Sequence, residues 1–208
     1  YKLPIGFDVP ETIILADGDF PSHPLALEWL RQCPYVVCCD GAANTYIRSG
    51  RMPEAIVGDG DSLLPDIKER YASLIHSEAE QETNDLSKAF RFCLSQERKR
   101  ITIMGATGKR EDHTIGNVSL LADYMEQAEV SMVTDYGIFV PIREDSMFES
   151  YIGQQISVFN MNSTALSAEG LAYPLSVFTN WWQGTLNEAL ARHFIIRTEG
   201  KVLVFRVF

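Results

Sequence analysis

The chain has 208 residues, 46% hydrophobic and 22% charged, a make-up that excludes a disordered or fibrous protein and allows a substantial core. Its formal net charge of -10 argues against a general basic surface, so no nucleic-acid partner is expected. No stretch approaches a membrane span, no signal peptide is visible, and Cys33, Cys38, Cys39 and Cys93 lack metal-ligand spacing, so the reading is a cytoplasmic protein with reduced thiols and no membrane partner.

In chain order, the apolar run over 12–16 predicts a strand that empties into Asp17-Gly18-Asp19. A helix is expected over 22–32, capped by Ser22 and carrying Pro24 in its first turn. A second strand over 35–39 runs into Asp40-Gly41-Ala42-Ala43-Asn44 and a short helix. The third strand, around Ile56-Val57, ends in Gly58-Asp59-Gly60-Asp61-Ser62. A brief helix over 66–71 and a short strand over 73–76 come next, then a helix over 84–93 with Leu86, Ala89, Phe90 and Cys93 on one face. The strand over 101–104 discharges into a glycine loop that ends at Asp112, and a helix over 113–125 and a strand over 130–134 follow. Strand and helix alternate, which argues for a mostly parallel sheet with helices on its faces.

Beyond 135 the rhythm changes to short runs rich in Val, Ile, Phe and Tyr, at 136–142, 147–151, 155–159, 194–197 and 202–207. No helical period appears, so the tail reads as an antiparallel β-sandwich or flattened barrel. The expected organisation is an α/β domain over 1–135 and an all-β domain over 136–208. The second is too short to bury much alone and should lean on the first, or on another subunit.

The chemistry gathers where strands are expected to end. Asp17, Asp19, Asp40, Asp59 and Asp61 follow strands, Asp85 opens a helix, and Asp112 follows the glycine loop. Ligands of open α/β sheets bind at the carboxyl ends of strands, so acids converging there are placed for catalysis. Each one singly has a plainer reading as a turn residue or helix cap. Together they repel one another, and a divalent cation with oxygen ligands, Mg²⁺, relieves that cost. The loop Gly105-Ala106-Thr107-Gly108-Lys109-Arg110 offers backbone N–H groups and two cations as a phosphate cradle, although its spacing is not that of a P-loop. Tyr173 and Trp181-Trp182 offer rings to a flat ligand, or to core and interface packing.

These stretches resemble the thiamin pyrophosphokinase family. The segments that carry the resemblance are 40–44, 57–62, 81–85, 105–117 and Gly170-Leu171-Ala172-Tyr173-Pro174-Leu175, in the family's order along the chain. The resemblance implies an α/β nucleotide domain, a C-terminal β-sandwich and a homodimer with its sites between subunits. It implies transfer of the terminal diphosphate of ATP to the hydroxyl of thiamin, giving thiamin diphosphate and AMP with Mg²⁺. Carried over residue by residue, Asp40, Asp59, Asp61, Asp85 and Asp112 match the acidic cluster, with Asp59, Asp61 and Asp85 as metal ligands. Asp85 or Asp112 would accept the hydroxyl proton. Gln81, Gly105, Gly108, Arg110 and Asn117 match nucleotide-binding positions, and Tyr173, Thr185 and Asn187 match thiamin-binding ones. The chain departs from the family at Gly60 (usually Phe), Asn84 (Thr), Lys109 (Gly) and Leu186 (Ser). Two other readings stand beside this one. A metal-dependent nucleotide-sugar transferase would use Asp17-Gly18-Asp19 and Asp59-Gly60-Asp61 as Asp-x-Asp pairs. A non-catalytic thiamin or nucleotide sensor would have no need of the full set of acids.

Overall fold

The structure is a computed structural model, and it describes residues 1–3, 8–78 and 82–208. The first half alternates as expected: β1 (Ile13–Leu15), α1 (Pro24–Gln32), β2 (Val36–Cys39), α2 (Ala42–Arg48), β3 (Ala55–Val57), α3 (Pro65–Arg70), β4 (Ile75–His76), α4 (Asp85–Ser95), β5 (Arg100–Met104), α5 (Glu111–Tyr124) and β6 (Glu129–Val133). The second half is β7 (Gly137–Ile142), β8 (Ser146–Glu149), β9 (Gln155–Asn160), β10 (Leu166–Glu169), β11 (Asn187–Glu188), β12 (His193–Thr198) and β13 (Val202–Val207).

Strands β1 to β6 pair in parallel, and their side chains alternate between two apolar layers. Ile13 and Leu15 of β1 face the layer that holds α1, α2 and α3, whereas Ile14 faces the one that holds α4 and α5. Within the second layer Phe90 of α4 stacks on Tyr124 of α5, with ring centroids 3.9 Å apart, and the Tyr124 hydroxyl meets Ser87 Oγ at 2.8 Å. Both contacts fix the angle between the helices that frame the glycine loop.

The sheet does not stop at residue 135. The turn after β6 returns the chain as β7, antiparallel, with Val133 opposite Ile138. β13, β9 and β11 then add in antiparallel order, giving one ten-stranded sheet, β11-β9-β13-β7-β6-β5-β1-β2-β3-β4. A three-stranded sheet, β10-β12-β8, covers the face shared with α1 to α3 and completes a sandwich-like tail. Phe148 and Phe194 stack between the layers at 5.0 Å. The short tail thus leans on the first half through shared strands as well as through packing.

Several expectations shift on inspection. The cap of α1 is His23, whose ring nitrogen accepts from Leu25 N; Ser22 instead donates through its N–H and hydroxyl to Asp135, joining α1 to the β6–β7 turn. Helix α5 begins at Glu111 rather than at 113, because Arg110 already has the extended backbone of a cap. The first half of the strand expected over 73–76 is a 3-10 turn, Ala72–Leu74, and the second half is the two-residue β4. The short strands β10 and β11 have no counterpart in the sequence reading, being too brief for a period to register.

Candidate active site

Every parallel strand from β1 to β3, and β5, ends at the same rim, and the loops that leave it are laced together. Gly18 N donates to Gly105 O at 2.6 Å and Asp19 N to Thr107 O at 2.9 Å. A Cβ on Gly108 would lie 2.1 Å from Asp19 Oδ2, so only glycine lets these loops meet. Lys109 takes a left-handed conformation (φ 53°), and its ammonium bridges to Asp17 O at 2.8 Å and Asp17 Oδ1 at 3.1 Å. Lys109 thus engages one oxygen of Asp17, and Asp19 packs on Gly108.

Asp40 is the buried member of the rim, with 4% of its surface exposed. It too has positive φ (27°), and its Oδ2 accepts from Ser62 N at 3.1 Å. The close approach of the third strand's exit makes this possible: a Cβ on Gly58 would sit 2.8 Å from the Asp40 Cβ. The other oxygen, Oδ1, is buried and has no hydrogen-bond partner among the described residues. Burial pushes the Asp40 carboxyl above its usual range, and the charges of Asp85 and Asp59 add to this, against the Ser62 hydrogen bond. Asp40, Asp59 and Asp85 therefore share one electrostatic neighbourhood.

Asp59 and Asp61 are exposed beside it, joined by a turn in which Asp61 N donates to Asp59 Oδ1 at 3.1 Å. Gly60 between them has φ 77° and leaves room for Lys68, whose ammonium donates to Gly60 O at 2.9 Å. Asp85 is the first residue of α4 but not its cap. Asn84 has that duty, accepting from Ser87 N at 2.9 Å. Asn84 also donates to Asn117 Oδ1 at 3.1 Å, and Asn117 in turn donates to Ala106 O at 2.9 Å. Asn117 is thus a strut that ties the glycine loop to the start of α4. Asp112 lies at the start of α5 in a two-point ion pair with Arg110, at 3.1 and 2.5 Å. The hydrogen bonds from Arg110 hold the Asp112 carboxyl at about 2. Gln81 lies outside the described residues.

The fit to a divalent cation is set by Asp40. A buried carboxylate oxygen with no donor among the described residues, in the field of two further carboxylates, suits a hard cation with oxygen ligands. Among the described residues no three acids or imidazoles already converge in a closed cage. A Mg²⁺ ion commonly takes only one or two carboxylates and shares the rest of its shell with water and substrate phosphates.

The tail positions lie elsewhere. Tyr173 is exposed in the irregular segment between β10 and β11, and buried Asn187 clamps its backbone. Tyr173 N donates to Asn187 Oδ1 at 3.0 Å, and Asn187 Nδ2 donates to Tyr173 O at 2.8 Å. Both polar ends of Asn187 are therefore spent on presenting Tyr173. Thr185 Oγ1 donates to Trp182 O at 2.7 Å and closes the turn of Trp181–Gly184. Trp181 meets Phe159 edge-on at 6.1 Å and, with Ile115 and Val118 of α5, walls an apolar cavity of about 130 Å³. Leu186 is exposed and left-handed (φ 63°). Seven inter-strand steps separate β11 from β2, so along the sheet Tyr173 stands roughly 30 Å or more from Asp40.

A parallel sheet whose strand exits gather acids, extended by an antiparallel sandwich, is the plan of a two-part α/β enzyme. The family model described as "Thiamin pyrophosphokinase, catalytic domain" matches residues 26–134, and "Thiamin pyrophosphokinase, substrate-binding domain" matches 137–205. The chain belongs to the thiamin pyrophosphokinase family. Thiamine pyrophosphokinase 1 of rice (Oryza sativa subsp. japonica) is 30% identical over 129 residues, covering 50% of this chain and 49% of the relative. Thiamin pyrophosphokinase 1 of Caenorhabditis elegans is 31% identical over 110 residues, covering 49% and 45%. The chain spans about half the length of the curated relatives it matches. Among solved structures, the thiamine pyrophosphokinase of Bacillus subtilis superposes with a TM-score of 0.78 at 21% identity, covering 94% of this chain and 98% of that one. The yeast thiamin pyrophosphokinase superposes at 0.79 with 17% identity, covering 100% and 90%. At those identities the likeness is one of fold.

Proposed function

We propose that this protein transfers the terminal diphosphate of ATP to the hydroxyl of thiamin, releasing AMP, as a Mg²⁺-dependent homodimer. The observation that carries the reading is the buried, unpartnered Asp40 Oδ1 among Asp59 and Asp85, at the strand exits of a chain in this family. Asp59, Asp61 and Asp85, with Asp40 beneath them, would hold the metal. Bound there, Mg²⁺ supplies charge neutralisation and alignment of the phosphates, the main requirements of phosphoryl transfer. The N–H groups of the Gly105–Gly108 loop and the Arg110 guanidinium would receive phosphate oxygens at the start of α5.

The thiamin oxygen attacks the β-phosphorus, the bond from that phosphorus to the α-phosphate oxygen breaks, and AMP leaves. The hydroxyl proton goes to a carboxylate and then to water. Asp85 and Asp112, the carboxylates at the starts of α4 and α5, are the two candidates for that duty. The span between Tyr173 and the acids favours a site built from two subunits, in which the partner's tail offers Tyr173 to the cationic thiazolium and the aminopyrimidine ring. The nucleotide-sugar transferase reading is disfavoured by the two family models that match the chain.

The test is incubation with ATP labelled at the β-phosphate, thiamin and Mg²⁺. The label should appear in thiamin diphosphate, with AMP as the other product. Thiamin monophosphate and ADP, or no turnover, would refute the reading.

A further inference from the structure

Lys88 occupies a costly place. It is the fourth residue of α4, only 5% exposed, and its ammonium stands 3.2 Å from Asp85 Oδ1. Burial strips water from the charge, and the first turn of a helix presents the positive end of its dipole to a cation that has to lie there. Ordering a lysine side chain adds an entropic cost. The partner needs little help in return: the Asp85 side chain is 39% exposed and open to water. An apolar side chain in the place of Lys88 would leave the fold at least as stable. Nor does Asp85 need holding in order to cap α4, because Asn84 is the cap.

What the lysine does accomplish is local. With Oδ1 bound to Lys88, the Asp85 carboxylate is held against its own helix within electrostatic reach of Asp40, while Cys39 Sγ donates to the Asp85 backbone O at 3.7 Å. We propose that Lys88 is a positioning residue for diphosphate transfer: the buried ammonium orients Asp85 toward the metal–nucleotide complex and balances part of the rim's negative charge. This rests on the diphosphokinase reading of the site. It adds a function for a residue that the motif pattern did not single out.

Lys88→Met and Lys88→Arg test it, each followed by thermal unfolding, Mn²⁺ binding in the presence of ATP by electron paramagnetic resonance, and AMP release. In Lys88→Met the melting temperature should hold or rise, because the carboxylate left behind is hydrated. Mn²⁺ affinity should weaken about tenfold, and kcat should fall about 10²-fold with little change in the thiamin KM. Lys88→Arg, which keeps the cation, should recover most of both. The proposal is overturned if Lys88→Met binds Mn²⁺ and turns over like wild type. It is equally overturned if Lys88→Met loses stability and activity in parallel, the result for a merely structural ion pair. A wild-type protein that releases no AMP would sink the diphosphokinase reading instead, and the Mn²⁺ titrations would still decide whether Lys88 orders the rim.

Discussion

Asparagine at position 40 separates two effects of one carboxylate. Asn keeps the shape of Asp40 and tolerates its positive φ, but it removes a charge that burial and the charges of Asp85 and Asp59 make costly. The sign follows from the raised pKa. The folded protein holds this proton more tightly than the unfolded chain, so stability is lost as pH rises from the ordinary carboxylate range through the raised value. Asp40→Asn should therefore melt higher than wild type at neutral pH. Its turnover should drop about 10²-fold or more, the scale of losing a metal-site charge. A variant that melts lower and retains activity would contradict this assignment. Asp112 has the opposite sign. Its carboxyl is held at about 2 by Arg110, so the related stability is present above the ordinary value of 3.8 and is lost as pH falls toward 2. In Arg110→Met, a ¹³C NMR titration of the Asp112 carboxyl should return toward 3.8.

Elements came out of the sequence unequally. Helix α4 was legible because Leu86, Ala89, Phe90 and Cys93 repeat on one face, and they are among the residues found buried. The exits of β2 and β3 were legible because buried parallel strands are short apolar runs with glycine and acid behind them. The segment from β10 to β11 was not. Its order comes from single contacts such as the Asn187 clamp on Tyr173 and the turn of Trp181–Gly184, which leave no period. The same holds for the candidate site. The acids at strand ends could be read, but the burial of Asp40 and the bridge from Lys109 to Asp17 depend on distant loops meeting, and the burial of Lys88 depends on how α4 packs. The Trp181–Gly184 turn offers a test at this scale. A Cβ on Gly184 would fall 1.8 Å from Val158 O, a backbone atom that cannot step aside. Gly184→Ala should cost about 1–3 kcal/mol in urea unfolding and shift the near-ultraviolet dichroism of Trp181, whereas unchanged spectra and stability would mean the turn docks differently.

For the whole molecule, the ten-stranded sheet fixes where the parts of the site can meet. Counted along it, Tyr173 lies roughly 30 Å from the acids of its own chain, and Val177, Trp182 and Leu186 are exposed in the same segment. The protein should sediment as a dimer, and Tyr173→Ala should raise the thiamin KM about tenfold, the loss of a stacking contact of roughly 1–2 kcal/mol, with the ATP KM unchanged. Mixing Asp59→Asn with a chain inactivated in the tail should restore activity, because one of the two composite sites then contains intact halves. No recovery in a verified heterodimer would place each site within one chain.

The wide sheet closes on its shortest pieces. β4 and β11, at its two borders, have two residues each. A border that short offers a newcomer too few free N–H and C=O groups to extend the ladder, so fibril-like growth by strand addition is blocked at both ends. The exposed rings of Tyr173 and Trp182 can therefore persist in a crowded solution without the long sheet templating a filament.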